Sequence, residues 1–258
     1  MSVPSGRWIA LQALLLAREE GLQATDALEE AWEESGARRD GSLDFERERG
    51  LSMGLVLGVV RWEIKLDGIM NRLVHHKAGS DVHPTVRAIL HLGLFQLLYM
   101  DRIPSRAAVS ETVALTRFAD VEYATGFVNG CLRTFLRDQE TVEPPSRKGL
   151  RGLAEQYAHP KHVVRALSPL LGDELEAFLK ASQALPPLTL RVNSILAPDA
   201  SLVRETLEEE DIAFAACTYA PDSLRLVGSY GRPDALPGFE DGLITVQDEA
   251  SQLVAYLL

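Results

Sequence analysis

Apolar side chains recur every three to four positions through the first 138 residues, which is the spacing of one buried helix face. Glycine, proline and aspartate interrupt this pattern near positions 21, 36–41, 79–84, 101–104 and 120. The pattern predicts helices at about 5–20, 23–34, 43–62, 65–76, 84–99, 105–118 and 122–138. We therefore expect the first half of the chain to form an all-helical domain.

Three features of these segments predict how they pack. Residues 86–100 are apolar on nearly all sides, which is typical of the central helix of a bundle. Gly54 and Gly58 lie one turn apart, a spacing that suits close contact between helices. The last segment has one apolar stripe, and its opposite face carries Asn129, Arg133 and Arg137.

The character of the sequence changes after residue 140. Glu143–Ser146 contains two consecutive prolines, which stop a helix and indicate a linker. Helical patterns follow, and strand-like alternation then begins at residue 188. The predicted helices lie at 147–158, 160–171, 172–183 and 201–210, and the predicted strands at 188–192, 214–218, 224–227 and 243–246. This order predicts a small α+β domain.

Composition limits the class of protein. Hydrophobic residues make up 46% of the 258 residues and charged residues 24%, which is ordinary for a globular protein. The longest apolar stretches, such as 51–60, are too short to span a bilayer. Two widely spaced cysteines without metal-type spacing fit a reducing cytosol. We expect a cytoplasmic protein that binds neither a membrane nor a metal.

The charge is acidic overall but unevenly distributed. A formal net charge of −11 argues against nucleic-acid binding over the whole surface. Acidic residues dominate 19–48 and 201–241, whereas basic residues outnumber acidic ones between Arg61 and Arg106. A local basic face on an acidic protein can hold a phosphate backbone, and a solvated helix surface is the alternative interpretation.

The residues themselves contain no evident catalytic motif. The glycines at 228–238 fit neither a phosphate-binding loop nor a dinucleotide fingerprint. Cys131 lies on an apolar helix stripe and Cys217 in a predicted strand, so we expect core positions for both. His75 and His76 lie near a helix end, where we expect contact with the helix dipole or solvent. These patterns alone indicate a helical domain and a small α+β domain, with RNA binding as one option.

Several stretches resemble a known family. His91–Leu115 (HLGLFQLLYMDRIPSRAAVSETVAL) and Gly126–Arg133 (GFVNGCLR) resemble the NusB-like helical domain. Three later stretches resemble, in the right order, landmarks of bacterial 16S ribosomal RNA cytosine-C5 methyltransferases of the RsmB type, also called Sun or Fmu. They are Tyr157–Leu167 (YAHPKHVVRAL), Pro186–Asn193 (PPLTLRVN) and Leu236–Ala255 (LPGFEDGLITVQDEASQLVA). The resemblance covers nearly the whole chain.

The resemblance implies a mainly α architecture in four parts. They are a NusB-like all-helical RNA-binding domain at 1–140, a linker and helical segment at 141–185, a small α+β RNA-recognition domain at 186–242, and the first strand and helix of a methyltransferase domain at 243–258. We expect the chain to be truncated at the start of that Rossmann-like domain, before its S-adenosylmethionine-binding loop. The apolar residues at the end of the chain, Leu253–Leu258, would then lack their packing partners.

In the family, one cysteine adds to C6 of a cytosine, and S-adenosylmethionine then supplies the methyl group to C5. Cys131 and Cys217 match neither of the family's cysteine motifs. We therefore assign no catalytic, cofactor-binding or metal-binding residue in this chain and expect it to be inactive alone.

The resemblance leaves recognition of 16S ribosomal RNA as the expected role. The candidate RNA contacts are Arg7, Arg61, Arg102, Arg106, Arg133, Arg137, Arg191 and Asn193. For each of them, a plain surface charge or a hydrogen bond within the fold is the alternative. We expect Asn129 to fix helix packing or a loop, and Gln247–Glu249 to begin a helix.

Two other functions stay open from the sequence. A NusB-like transcription antitermination factor would bind RNA and a partner protein through the helical domain, but it would not need the residues after Pro144. A structural module would bind a protein through its acidic faces and would be indifferent to RNA.

Overall fold

The computed structural model describes residues 5–37, 43–74, 82–142, 149–221, 223–228 and 233–257. The predicted linker at 143–146 and the pair His75 and His76 lie outside the described residues. The helices are α1 (Gly6–Glu20), α2 (Ala24–Glu34), α3 (Leu43–Val74), α4 (Pro84–Tyr99), α5 (Ser105–Phe118), α6 (Thr125–Arg137), α7 (Gln139–Val142), α8 (Leu150–Gln156), α9 (Lys161–Leu171), α10 (Leu175–Ser182), α11 (Ser201–Glu209) and α12 (Glu249–Val254). The strands are β1 (Thr189–Val192), β2 (Phe214–Ala216), β3 (Ser223–Leu226) and β4 (Ile244–Val246). The chain divides into two compact units, Met1–Gln183 and Ala184–Leu258.

Helix α4 forms the centre of the first unit. Its apolar side chains are buried on all sides, because α1, α3, α5 and α6 all pack against it. The completely buried members are Ala88, Ile89, Leu90, Leu92 and Leu94. This confirms the prediction of a central bundle helix, and it places α5 and α6 side by side on the surface of the bundle.

Helix α3 differs from its sequence-based prediction. We predicted separate helices at 43–62 and 65–76, but a single α-helix runs from Leu43 to Val74. Neither glycine nor proline interrupts the chain between Val59 and Leu66, and both of these side chains are buried. Because they are seven residues apart, they lie on the same helix face, and the core therefore favours one continuous helix.

Gly58 allows close contact between α3 and α4. A Cβ atom at this position would lie 1.9 Å from Cζ of Phe95. At Gly54, one turn earlier, a Cβ atom would meet only the end of Met100, at 3.9 Å. The predicted close helix contact is therefore present, and it depends on Gly58.

A smaller apolar cluster lies among the helices at the end of the first unit. Its buried members come from α8, α9 and α10, and they are Ala154, Val164, Leu175 and Leu179. Arg72 on α3 joins this cluster to the main bundle. Its Nε donates to the carbonyl of Val142 at 2.7 Å, and its Nη1 pairs with the Glu155 carboxylate at 2.5 Å.

The second unit is an antiparallel sheet with the strand order β2-β3-β1-β4. Helix α11 connects β1 to β2, and β3 lies between these two strands, which makes a split β-α-β arrangement. Alternate strand residues face α11 and form the core. The buried members of this core include Leu190, Val192, Leu224, Leu226 and, from α11, Val203 and Leu207.

Strand β4 is an edge strand of this same sheet. It pairs with β1, with Val246 opposite Leu190 and Ile244 opposite Val192. Helix α12 follows it, and its buried Gln252 accepts a hydrogen bond from Ser223 at 2.6 Å. The predicted domain boundary after residue 242 therefore falls within one compact unit.

The end of α12 and the turn that follows it expose apolar surface. Val254 is 55% exposed and Leu257 is 84% exposed, whereas Leu258 lies outside the described residues. Among the described residues, no helix is long and apolar enough to cross a membrane.

Candidate nucleic-acid interface

A groove with a volume of about 780 Å³ lies between α5 and α6. Its lining residues are Arg106, Val109, Ser110, Val113, Ala114 and Arg117 from α5, and Asn129, Arg133 and Leu136 from α6. Three of these described residues are arginines and none is acidic. Because the chain as a whole is strongly acidic, this groove is a local concentration of positive charge.

Helical spacing explains why the arginines share one groove. The α5 residues that line it recur at intervals of three and four, so they form one face of the helix. Arg106 and Arg117 are eleven residues apart on that face, which corresponds to about 16 Å along the axis. Arg133 projects from α6 on the other wall. All three side chains are exposed, so their guanidinium groups are accessible to a ligand.

Hydrogen bonds position part of this groove. Arg133 Nε donates to Oδ1 of Asn129, one turn earlier on α6, at 3.0 Å. Arg117 Nε lies 3.6 Å from Oε1 of Glu122, and both side chains are more than two-thirds exposed. An exposed ion pair of this kind contributes little, so Arg117 can exchange Glu122 for another anion at small cost.

Arg137 lies one turn beyond Arg133 but does not line the groove. It pairs with the adjacent Asp138, with Nη2 and Oδ2 at 2.9 Å. The hydrogen bond from Arg137 holds the pKa of the Asp138 carboxyl below its ordinary value. Both groups are at the surface, where such a pair competes with water and salt.

The Arg7 side chain is bound within the helical bundle. Its Nε donates to Oε1 of the buried Gln96 at 2.7 Å, and Nε2 of Gln96 donates to Oγ1 of Thr112 at 3.1 Å. These bonds join α1, α4 and α5. Burial lowers the pKa of the Arg7 guanidinium from its ordinary value, and the nearby carboxylate of Glu111 opposes that effect. We therefore leave Arg7 out of the interface that we propose.

Two further candidates lie elsewhere in the first unit. Arg61 on α3 is half-buried, and its Nη1 is 3.5 Å from the carbonyl oxygen of Gln183, at the limit of a hydrogen bond. Arg102 is exposed in the turn between α4 and α5 and does not line the groove.

The second unit carries its candidates on β1 and the turn after it. Arg191 is exposed on β1. Asn193 is bound within the fold, because its Nδ2 donates to the carbonyl of Gly242 at 3.1 Å and its Oδ1 accepts from the backbone N–H of Ile195 at 3.1 Å. An asparagine that closes a turn in this way has a structural role.

Sequence reasoning missed Arg117 and Arg225. Arg117 shares the helix face of Arg106, and a helical projection of α5 could have found it. Arg225 is exposed on β3, and only the strand register shows that it shares a face with Arg191. The register pairs Arg225 with Thr189 and pairs Arg191 with Ser223.

The two cysteines differ in burial. Cys131 is buried in the core of the first unit, as predicted. The predicted core position of Cys217 was wrong, because β2 ends at Ala216 and Cys217 is only half-buried. Burial, followed by the charge of Glu249, raises the pKa of its thiol. A raised pKa disfavours the thiolate, which is the nucleophilic form. The described part of the chain contains no cluster of histidine, cysteine and carboxylate side chains that could hold a metal ion.

In this chain, a helical bundle precedes a split β-α-β unit. Residues 5–137 match the NusB family, and residues 159–231 match the ferredoxin-like domain of RsmF/B-like methyltransferases. The NusB match covers more than half of the chain, so the chain belongs to the NusB family. The strand order of the second unit agrees with a ferredoxin-like domain.

Curated relatives match both units. The chain is 36% identical to the ribosomal RNA small subunit methyltransferase B of Pseudomonas putida, over 83% of this chain and 47% of that protein. It is 33% identical to the probable ribosomal RNA small subunit methyltransferase B of Synechocystis, over 82% of this chain and 47% of that protein. The chain thus spans about half the length of these curated relatives.

A solved structure shares the fold. The crystal structure of PH0851 matches with a TM-score of 0.61 and 20% sequence identity, over all of this chain and 56% of that one. Such a likeness extends to the fold alone.

Proposed function

We propose that this chain is the RNA-recognition region of a 16S ribosomal RNA 5-methylcytosine methyltransferase. The groove between α5 and α6 carries the proposal, because three exposed arginines converge there and no described lining residue is acidic. Arginine binds phosphate through several N–H donors, and phosphate contacts account for most of the salt-dependent affinity for a nucleic acid. The names of the relatives support small-subunit ribosomal RNA as the partner.

Three arginines have the main roles in this proposal. Arg106 and Arg117 bind phosphates along one wall of the groove, and Arg133, held by Asn129, binds a phosphate from the other wall. The apolar surface between them, formed by Val113, Ala114 and Leu136, accommodates sugars or bases. Arg102 and Arg137, both exposed, are secondary phosphate contacts.

The proposal separates recognition from methyl transfer. S-adenosylmethionine is the methyl donor that we expect for the complete enzyme, and methyl transfer to C5 of cytosine requires a cysteine nucleophile. Neither the buried Cys131 nor Cys217, with its raised pKa, suits that role. We therefore expect residues 1–258 alone to bind RNA and to transfer no methyl group.

The ferredoxin-like match favours this function over transcription antitermination. An antitermination factor of the NusB type would use the helical domain with a partner protein, and residues 159–231 would then have no assigned role. The two functions differ in whether a second protein is needed. Recognition of ribosomal RNA by this chain needs no second protein, whereas antitermination does.

Matched charge reversals test the groove. The double variant R106E/R133E and the control R151E/R165E change the net charge equally, and all four arginines are exposed in the first unit. Arg151 and Arg165 lie on α8 and α9, away from the groove. We expect the groove variant to bind a 16S ribosomal RNA fragment about tenfold or more weakly than the control, because it loses phosphate contacts. Equal losses in the two variants would contradict the proposed interface.

A further inference from the structure

Arg191 and Arg225 lie diagonally opposite each other on adjacent strands. In the β1–β3 pair, Arg191 is opposite Ser223 and Arg225 is opposite Thr189. Residues that are directly opposite in an antiparallel pair share a face, so both arginines lie on the face that Leu190 and Leu224 do not occupy. Diagonal neighbours of this kind are separated by roughly 7–8 Å.

This pairing is unexpected because the second unit is acidic. Residues 184–258 contain twelve acidic side chains and only four basic ones. Two of those four are Arg191 and Arg225, both exposed, and neither makes an ion pair with a residue that the structure describes. Like charges this close repel each other, and a bound anion would remove that cost.

Two acidic residues at the start of α12 are engaged with the backbone. Asp248 Oδ1 accepts from the N–H of Ala250 at 2.8 Å and caps α12. Glu249 Oε1 accepts from the N–H groups of Tyr219 and Ala220. Their carboxylates are therefore held by backbone donors, and the two guanidinium groups are left to face solvent.

A small cleft borders Arg191. It has a volume of about 270 Å³ and lies between the end of β1 and α12. Its lining combines the polar side chains of Arg191, Asn193 and Gln252 with the apolar side chains of Ile195 and Ala255. Ile195 is 87% exposed, so its apolar side chain is accessible to a ligand. The cleft is too small for a duplex but has room for a single unstacked base.

We infer that this face binds one strand of RNA, with neighbouring phosphates on Arg191 and Arg225 and a base against Ile195. The inference rests on the proposed function, because it adds a second RNA contact in a different unit from the α5–α6 groove. A single strand fits better than a duplex, since bases of single-stranded RNA can turn out of the stack and enter a cleft.

Charge reversal at Arg225 tests this inference, with Arg204 as the matched control. Arg204 is exposed on α11, which covers the opposite face of the same sheet, so R204E changes the charge equally without touching the proposed site. The full chain is titrated with fluorescein-labelled oligouridylate over a range of salt concentrations. We expect R225E to bind about fivefold more weakly and to lower the salt slope by roughly 0.7, the value for one lost contact to a single strand.

Two further variants keep the result interpretable. R225K retains the charge and should retain most of the affinity, and I195A should weaken binding without changing the salt slope, because it removes an apolar contact. Circular dichroism melts of each variant establish that the sheet is intact. Equal binding by R225E and R204E, with the wild-type chain binding normally, would overturn this inference and leave the α5–α6 groove unaffected. Failure of the wild-type chain to bind any RNA at low salt would instead overturn the proposed function itself.

Discussion

Nε2 of the completely buried His91 lies 3.0 Å from Oδ1 of Asp67, and this contact joins α4 to α3 inside the helical unit. Nη1 of Arg87 lies 2.6 Å from the same carboxylate oxygen. On the other side of the ring, Nδ1 faces Nη2 of Arg18 at 3.4 Å. An arginine can only donate, so Nδ1 accepts and the proton of the ring lies on Nε2, where it is donated to Asp67.

We predict that D67N destabilises the helical unit by about 1 kcal/mol, because the variant loses the charge that satisfies a buried histidine and Arg87. Burial alone would raise the pKa of Asp67, but the hydrogen bonds from His91 and Arg87 outweigh burial and leave the pKa below its ordinary value. Because the folded pKa is lowered, this stabilisation is complete above the pKa of Asp67 in the unfolded chain and is lost as the pH falls through the folded value.

Thermal melts of wild type and D67N at several pH values check this. The difference in Tm should be full near neutral pH and should shrink on acidification below the unfolded pKa. D101N, which changes an exposed carboxylate in the turn before α5, is the control and should behave like wild type. A Tm difference that does not change with pH would show that the charge of Asp67 is not responsible.

Gly54 and Gly58 of α3 should respond oppositely to alanine. G58A places a methyl group where the ring of Phe95 lies, and we expect a loss of about 1–3 kcal/mol from overpacking. G54A meets only the flexible end of Met100, so it should be neutral or gain up to about 1 kcal/mol from helix propensity. Urea unfolding of the two variants measures both effects, and a tolerated G58A would contradict the close contact between α3 and α4.

Arg7 should affect stability more than RNA binding. R7M keeps much of the side-chain length but leaves Oε1 of the buried Gln96 without its donor, which should cost about 1–3 kcal/mol. If Arg7 does not contact phosphate, the folded variant should retain the salt slope of wild-type RNA binding. A lower slope with unchanged stability would return Arg7 to the list of RNA contacts.

Asn193 gives the matching prediction for the second unit. N193A removes the hydrogen bonds to Gly242 and Ile195, and we expect it to cost about 1–2 kcal/mol. S194A, at the adjacent exposed position, is the control and should be close to neutral. If N193A weakens RNA binding while the melting temperature stays unchanged, Asn193 acts as a direct contact rather than as a turn residue.

Local patterns in the sequence predicted most helices and strands. The spacing of apolar residues and the positions of helix-breaking residues are both properties of short stretches of chain. The all-round apolar character of 86–100 identified the central helix α4, and Gly21 and Pro104 marked real helix boundaries. The break predicted between 62 and 65 was wrong, since the spacing of Val59 and Leu66 continues through it.

The candidate interface was less predictable because it depends on contacts between elements. The sequence alone named Arg106 and Arg133 as candidate RNA contacts, but only the packing of α5 on α6 brings them to one groove with Arg117. Only the register of β3 on β1 shows that Arg225 shares a sheet face with Arg191. Conversely, Arg7 looked like a free surface charge, and its bond to Gln96 joins residues 89 positions apart.

The most direct test of the account is a titration of the wild-type chain against a 16S ribosomal RNA fragment at several salt concentrations. An unrelated RNA of equal length is the control. We predict preferential binding of the ribosomal fragment, with an affinity that falls steadily as salt increases, because arginine–phosphate contacts release counterions. Absence of binding at low salt, or affinity that does not depend on salt, would contradict the claim that this chain recognises RNA through its arginines.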